Sequence, residues 1–486
     1  MDADVVVVGS GVSGVLVARA LLRAGRHVTM VERGGRKSHA RQLADGAHAT
    51  GAPGAQPSHE VAPGSPDYPW ATVFGVGGAT LHWDGVALRF VESDLRMRSR
   101  YGVMRDWPIA YDELLPHVEE AERLLGVAGA PGGDLPPHPY SPVDEAIRPL
   151  LAPFRPLGQA RPTRRVGDRP PCCGSAVCEL CPVDSRFTVL NTFGDVLEHP
   201  RLRLLTDVAA ERVLLDPARR RARGVRCVRA GGEGFDVAAP AVVLAASGFE
   251  NPAILLRSGL DRPGTGQFLF DHAHRTLRVR VRRPIGAGIG SSQSTGLSDA
   301  FRDGPFRARR GAGVVSAYNP GVPLPGLVTD ALLRGRRGGR LRREVLDERD
   351  RTIVLDVLLE DVPRAERRVT LSPGKDAMGL PRPRVAYPGP GRYEQAGWRW
   401  IRDEVERRLA PLGVVAVRAD PGPAGGHLLG TCHMGDGGVV DADLRHHDVE
   451  GLHVTGGSAF PTYTPAHPTL TVAALALRLG AHLARS

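Results

Sequence analysis

The segment 4–32 constrains the fold of this chain more than any other part of it. Residues 4–9 (DVVVVG) form a short apolar run that ends at a glycine, which is typical of a buried parallel strand. Three glycines occur here at the spacing G-x-G-x-x-G, namely Gly9, Gly11 and Gly14. Apolar residues at helical spacing continue to Gly25, and a second strand (HVTMVE) ends in Glu32. This order predicts a βαβ unit of the Rossmann type.

Each part of such a unit suits one part of a dinucleotide. Glycines let the backbone approach a pyrophosphate closely, and the helix N-terminus presents amides and a positive dipole end to it. A carboxylate at the end of the second strand, here Glu32, binds ribose hydroxyls. These features predict a bound dinucleotide, but they do not distinguish NAD from FAD.

Composition excludes several classes of protein. The 486 residues, 42% of them hydrophobic, can bury the cores of two or three domains, and no window reaches the ~20 apolar residues of a membrane helix. The chain starts at Met1 without a basic leader, so we expect a cytoplasmic protein with no membrane span. The net charge is +10, but aromatic residues make up only 5% and do not alternate with the basic ones. We therefore interpret the basic patches as solvated surface and expect no nucleic-acid partner.

Four further motif-bearing segments follow the N-terminal unit: 73–85 (VFGVGGATLHWDG), 241–250 (AVVLAASGFE), 427–435 (HLLGTCHMG) and 452–472 (LHVTGGSAFPTYTPAHPTLTV). With these segments, VVLAASGFENPAILLRSG at 242–259 and FLFDHAH at 268–274, the chain resembles the glucose–methanol–choline (GMC) family of FAD-dependent oxidoreductases over nearly all of its length. The resemblance implies an α/β fold, α+β overall, in which a Rossmann-like FAD-binding domain joins a mostly antiparallel-sheet substrate domain. It places the FAD-binding domain at 1–90, 166–264 and 401–486 and the substrate domain at 91–165 and 265–400.

The same resemblance assigns FAD contacts along the chain. The predicted FAD-binding residues are Gly9, Gly11, Gly14, Glu32, Gly77, Gly78, His82, Val208, Ala246, Gly457, Ser458, Pro468 and Thr469. Many members carry Asp-Ala-Ser where this chain has Gly456-Gly457-Ser458, so backbone amides must replace a carboxylate contact here. His82 lies at a loop position where some relatives join a histidine covalently to the flavin and others bind FAD non-covalently, and both alternatives stay open.

Two histidines near the C-terminus are predicted to be catalytic. His467 precedes a proline at the start of a helix, and the positive end of that helix can stabilise negative charge on a reduced flavin. The resemblance implies that His427 is the general base that removes a hydroxyl proton, while His467 positions the substrate oxygen or shares the proton. His272 and His274, in FLFDHAH, are interpreted as structural.

Four of the six cysteines lie in the segment PPCCGSAVCELCP, residues 170–182. They are Cys172, Cys173, Cys178 and Cys181. Clustered thiolates suit zinc or an iron–sulfur cluster, but the spacing is not that of a zinc ribbon. The segment resembles an insertion in the glucose, gluconate and fructose dehydrogenase branch of the family, which implies an iron–sulfur cluster, [3Fe–4S] being favoured. Zinc, a disulfide and bare thiols are the alternatives. Cys227 and Cys432 are not expected to be ligands.

The predicted function is that of an FAD-dependent dehydrogenase. It would oxidise a CH–OH group of a sugar, glycoside or related polyol by hydride transfer to flavin N5. Electrons would leave through the cluster to an external acceptor, a protein or a quinone. A soluble tailoring role in secondary metabolism fits the absence of a predicted membrane anchor. The alternatives are an oxidase similar to pyranose oxidases, which would produce H₂O₂, and a non-redox lyase of the same family.

Overall fold

The computed structural model describes residues 3–46, 55–56, 59–65, 72–175, 178, 180–218, 220–290, 295–319, 324–421 and 426–485. The strands are β1 (Val5–Val8), β2 (Val28–Val31), β3 (Ala55–Gln56), β4 (Glu60–Val61), β5 (Thr72–Val73), β6 (Phe154–Pro156), β7 (Leu202–Leu205), β8 (Val208–Leu215), β9 (Ala222–Arg229), β10 (Gly234–Ala238), β11 (Ala241–Leu244), β12 (Ala273–Val281), β13 (Gly296–Ser298), β14 (Gly313–Ala317), β15 (Thr352–Leu359), β16 (Arg368–Lys375), β17 (Pro381–Ala386), β18 (Val414–Pro421) and β19 (Leu452–Val454).

The α-helices are α1 (Val12–Arg23), α2 (His39–Gly46), α3 (Met97–Tyr101), α4 (Tyr111–Leu125), α5 (Pro142–Ile147), α6 (Val189–Thr192), α7 (Gly194–Leu197), α8 (Ser247–Arg257), α9 (Leu324–Leu333), α10 (Gly338–Asp350), α11 (Arg392–Leu409) and α12 (Thr469–Arg485). Short 3₁₀ helices cover Gly78–Leu81, Glu92–Leu95, Pro305–Ala308, Ala410–Leu412 and Gly457–Ala459. Within the described ranges, no helix combines the length and the apolar character needed to cross a lipid bilayer.

A parallel five-stranded sheet in the order β19-β11-β1-β2-β7 forms the nucleotide-binding half. The predicted strand–glycine–helix–strand unit is its centre. All four residues of β1 are buried valines, as an apolar strand covered on both faces requires. The fold class is thereby confirmed: a Rossmann-like sheet is combined with antiparallel sheets.

The turn between β1 and α1 depends on two glycines. Gly9 has a φ of +100°, and a Cβ there would lie 2.5 Å from the carbonyl oxygen of Ala245 on the neighbouring strand. A Cβ on Gly14 would lie 1.9 Å from the carbonyl oxygen of Gly9. The helix therefore packs directly on the turn, and only glycine fits at either position.

An antiparallel six-stranded sheet in the order β18-β12-β15-β14-β13-β6 forms the second half. Two of its inner strands, β12 and β15, alternate between the two faces of the sheet. Leu277 and Leu355 belong to a core with Ile401 of α11, whereas His274 and Asp356 on the opposite face line a cavity. One face is therefore covered by a helix, and the other is available to a ligand.

The predicted division at residues 400 and 401 falls inside α11. That helix buries Ile401, Val405 and Leu409 against the antiparallel sheet, and β18 pairs with β12 over Arg275–Val281. Residues 401–421 therefore pack with the antiparallel sheet and not with the parallel one. Helix amphipathicity alone could not indicate which of two sheets a helix covers.

Candidate active site

A cavity of about 520 Å³ lies between the carboxyl ends of the parallel strands and the open face of the antiparallel sheet. Most of the predicted site residues line it: Gly9, Gly11, Glu32, Gly78, His82, Val208, Ala246, His427, Gly457, His467, Pro468 and Thr469. The other three lie behind this wall. Gly14 packs under the turn, the Gly77 amide donates to Ser10 Oγ (3.2 Å), and Ser458 Oγ accepts from Asn251 Nδ2 (2.8 Å).

Glu32 holds three loops together at the place where the sequence predicts binding of ribose hydroxyls. Its Oε2 accepts from the amide and the hydroxyl of Ser10 (3.1 and 2.7 Å), and its Oε1 accepts from the amides of Gly34 (2.9 Å) and Gly75 (3.1 Å). Burial raises the pKa of this carboxyl, and the four hydrogen bonds oppose that shift. Glu32 thus fixes the shape of the turn between β1 and α1 and also lines the cavity.

The glycines that replace the Asp-Ala of other members have a packing reason. Gly456 has a φ of +90°, and a Cβ on Gly457 would lie 2.3 Å from Cδ2 of Leu429. A Cβ at 457 would therefore require the Leu429 side chain to move away. Both glycines line the cavity, so backbone groups face a ligand there.

A cluster of aromatic side chains lies at the opposite end of the cavity: His427 and His467 line the wall, and His272 and Tyr463 lie behind them. The ring centroids of His427 and His467 are 5.8 Å apart, and His272 lies 4.8 Å from the first and 5.8 Å from the second. Tyr463 stacks on His272 with centroids 4.3 Å apart. The backbone of this region is fixed by Asp271, whose carboxylate accepts from the amide of His427 (3.1 Å).

The two predicted catalytic histidines are neutral at physiological pH. Burial, and secondarily the nearby His274, lowers the pKa of His427 to about 3. Burial, and then His427 and His274, keeps the pKa of His467 well below its ordinary value. An unprotonated imidazole has a lone pair that can accept a proton, so both rings are in the form that a base requires.

Two polar residues, His274 and Asp356, line the cavity although the sequence motifs did not place them there. His274 Nε2 lies 3.0 Å from Asp356 Oδ1, and both side chains line the cavity. His274 had been interpreted as structural. A signal was present in the sequence: Asp356 is the one charged residue in the apolar run TIVLDVLL, and an acid inside such a strand needs a specific partner.

The cavity fits FAD on observations of this structure. Nδ1 of His82 and Nδ1 of His467 are both buried and have no hydrogen-bond partner among the described residues. The first residue of α1 follows Gly11, which offers no side-chain cap, so the helix amides there are open to a ligand. Burial, and secondarily Arg186, lowers the pKa of His82 to about 4. The glycine turn, the uncapped helix and His82 Nδ1 are groups that a flavin dinucleotide would satisfy.

The cysteine segment lies beside the loop 73–85, which we call the flavin loop. The contacts of its thiols differ from those of the predicted metal site. Arg161 Nη1 donates to Cys178 Sγ (3.0 Å), and the amide of Ser185 donates to Cys181 Sγ (3.3 Å). All six cysteines are free thiols, which is against the disulfide alternative. Residues 176–177 and 179 lie outside the described part, and in that part no three Cys, His, Asp or Glu side chains are placed to hold a metal ion. We therefore derive no electron transfer through these thiols.

The fold and the site define a class of protein: a flavin-dependent oxidoreductase acting on CH–OH groups. The chain belongs to the GMC oxidoreductase family, whose N-terminal and C-terminal family models match residues 97–274 and 363–476. This confirms the family predicted from the motifs and the enzyme class.

Two curated relatives span almost the whole chain. The fructose dehydrogenase large subunit of Gluconobacter japonicus is 27% identical, covering 98% of this chain and 97% of its own. The 6'''-hydroxyparomomycin C oxidase of Streptomyces lividus is 30% identical, covering 99% of this chain and 92% of its own. The crystal structure of pyridoxine 4-oxidase from Mesorbium loti superposes with a TM-score of 0.68 over 100% of both chains at 19% identity, which supports the fold.

Proposed function

We propose that this protein oxidises a CH–OH group of a sugar, glycoside or related polyol to the carbonyl. The observation that carries the proposal is the pair of neutral histidines, His427 and His467, at the end of the cavity remote from the dinucleotide turn. The names of the two relatives above, one acting on fructose and one on an aminoglycoside, support a polyhydroxylated substrate.

The protein residues perform the proton chemistry. When bound, FAD supplies the acceptor for the hydride that leaves the substrate carbon. His427 accepts the hydroxyl proton, so that the C=O bond forms as the C–H bond breaks. His467 Nδ1 has no partner among the described residues and is available to hold the substrate oxygen.

The test is anaerobic reduction of the bound flavin by a panel of sugars, glycosides and polyols in a stopped-flow instrument. We expect bleaching of the visible flavin absorbance by at least one class. The His427→Ala variant should retain FAD and bleach slower by a factor of about 10²–10⁴, the contribution of a general base. A wild-type protein that no alcohol bleaches would favour the lyase alternative.

The electron acceptor belongs to the same proposal. We propose a dehydrogenase that passes electrons to an external acceptor. An iron–sulfur cluster on the cysteines of 170–182 stays a prediction from the resemblance of that segment, because no three Cys, His, Asp or Glu side chains of the described residues are placed to hold a metal ion. The position of the segment supports the prediction. Arg186 donates to the carbonyls of Cys178 (2.6 Å) and of Leu81 in the flavin loop (2.8 Å), so the cysteine segment is tied directly to the loop. Iron and acid-labile sulfide in anaerobically purified protein would support the cluster. Flavin without iron would leave the oxidase, and oxygen uptake with substrate would then be expected.

A further inference from the structure

His272 lies behind the catalytic pair and does not line the cavity. Its side chain is fully buried between the His427 segment and the Tyr463–Thr464 segment. Two of its ring contacts are of different kinds: Nε2 lies 3.2 Å from the carbonyl oxygen of Thr464, and Nδ1 lies 2.9 Å from Nδ1 of His427. These two contacts fix where protons reside.

The Thr464 contact determines the tautomer of His272. A carbonyl oxygen only accepts hydrogen bonds, so Nε2 of His272 must carry its hydrogen. A neutral imidazole has one N–H, and His272 is neutral because burial keeps its pKa well below the ordinary value. Its Nδ1 is therefore a bare lone pair.

The tautomer of His427 follows from that of His272. Two bare nitrogen lone pairs 2.9 Å apart would repel, so the hydrogen between the two Nδ1 atoms belongs to His427. Tyr463 Oη lies farther from the same atom, at 3.2 Å from Nδ1 of His272. With Nδ1 protonated, the remaining ring nitrogen of His427, Nε2, is left as the proton acceptor.

We propose that His272 is a positioning residue, which holds His427 in the Nδ1–H tautomer so that Nε2 is the basic atom. The inference rests on the proposed function of His427 as a base. When His427 takes the substrate proton, its N–H···N bond to His272 becomes charge-assisted and stronger, so the contact stabilises the charged state that develops during reaction. Asp271 Oδ1, 3.8 Å from Nδ1 of His427, adds negative charge on the same side.

The site is asymmetric, and that asymmetry supports the assignment. His467 Nδ1 has no hydrogen-bond partner among the described residues, so the chain does not fix its tautomer through that atom. His427 has both its backbone amide and its Nδ1 held by Asp271 and His272. A base needs one defined lone pair, whereas a residue that only binds the substrate oxygen does not.

The test compares two substitutions at His272. His272→Phe keeps an aromatic ring against Tyr463 but removes the acceptor. His272→Asn supplies an amide oxygen that can accept from His427. We expect FAD to bind to both, flavin reduction to slow about 100-fold or more in the Phe variant, and the Asn variant to recover to within about tenfold of wild type. His453→Phe and His453→Asn are the matched controls, because His453 is a buried histidine of β19 outside the cavity. They should reduce flavin at the wild-type rate.

A direct measurement does not depend on turnover. Nitrogen-15 spectra of histidine-labelled wild-type protein, with the His427 signals assigned by their loss in His427→Asn, should show Nδ1 protonated and Nε2 bare. An Nε2–H form of His427 would overturn the proposal, as would a Phe variant that reduces flavin like wild type or an Asn variant that recovers nothing. If no alcohol bleaches the wild-type flavin, the proposed function fails while the tautomer result still stands. If the Phe variant does not retain FAD, the Asn variant and the spectrum decide.

Discussion

Gly11 and Gly14 belong to one motif, but the structure gives them different reasons for being glycine. A Cβ on Gly14 would lie 1.9 Å from the Gly9 carbonyl oxygen, a distance that no real contact shows. Apart from its chain neighbours, a Cβ on Gly11 would meet no atom of the described residues within 4 Å, and its φ of −67° suits any residue. The fold therefore requires Gly14, whereas a side chain at Gly11 would clash only with a ligand bound in the cavity.

The Gly14→Ala variant should destabilise the FAD-free protein. Alanine gains about 1 kcal/mol of helix propensity over glycine. Against this, α1 must move away from the turn by about 1 Å, and overpacking of this kind costs about 1–3 kcal/mol or more. Because the clash is with a backbone oxygen and not with a flexible side chain, the upper end of that range applies, and we expect a net loss of about 2 kcal/mol and poor FAD retention. The Gly11→Ala variant should lose less than about 1 kcal/mol, the cost of a poorer helix cap, yet bind FAD more weakly.

Urea denaturation of both FAD-free variants, followed by tryptophan fluorescence, measures the first effect, and FAD titration measures the second. The reasoning would be refuted by a Gly14→Ala protein as stable as wild type. It would equally be refuted by a Gly11→Ala protein that loses as much stability as Gly14→Ala, or that binds FAD unchanged.

Three further predictions concern the cavity. Asp356→Asn, which removes the charge beside His274, should raise KM for the substrate more than it lowers the flavin reduction rate at saturation; the opposite split in steady-state and stopped-flow data would contradict a recognition role. His82 has a neutral ring whose Nδ1 has no partner in the described part of the chain, so we expect a hydrogen bond to FAD, and acid precipitation should release all the flavin; a yellow pellet would instead indicate a covalent bond. Because the pKa of His427 is about 3 in the folded protein, against 6.5 ordinarily, the base stays unprotonated and the flavin reduction rate should be flat from about pH 8 to pH 5. A reduction rate that falls with an apparent pKa near 6.5 would contradict this expectation. The low pKa of His427 also affects folding stability: its contribution to the free energy of unfolding is fully present above pH 6.5 and is lost as the pH falls toward 3.

Local patterns made the nucleotide-binding half predictable. The strand, the glycine turn, α1 and Glu32 lie within one short segment, and their order alone indicates a βαβ unit. The motif residues His427 and His467 also line the cavity as a family member's would. In both cases the information lies in neighbouring residues.

The remaining features depend on contacts between distant segments. His272 touches His427, 155 positions later, and Thr464, 192 positions later, and no spacing in the sequence reports such a contact. The same holds for β18, which joins β12 across more than a hundred residues. Long-range packing sets these contacts, so the spacing of residues predicted neither the contacts of His272 nor the pairing of β18, and the boundary was placed between residues 400 and 401.

The alternation along β12 and β15 separates residues needed for folding from residues that face the ligand, on the two faces of one sheet. Odd-numbered residues such as Leu277 and Leu355 pack under α11, and even-numbered ones such as His274, Asp356 and Leu358 line the cavity. A substitution at an even position can alter which alcohol is accepted while the core beneath remains intact. Substrate preference can therefore change among relatives of this chain at little cost in folding stability, because every second residue of these strands faces the cavity and not the core.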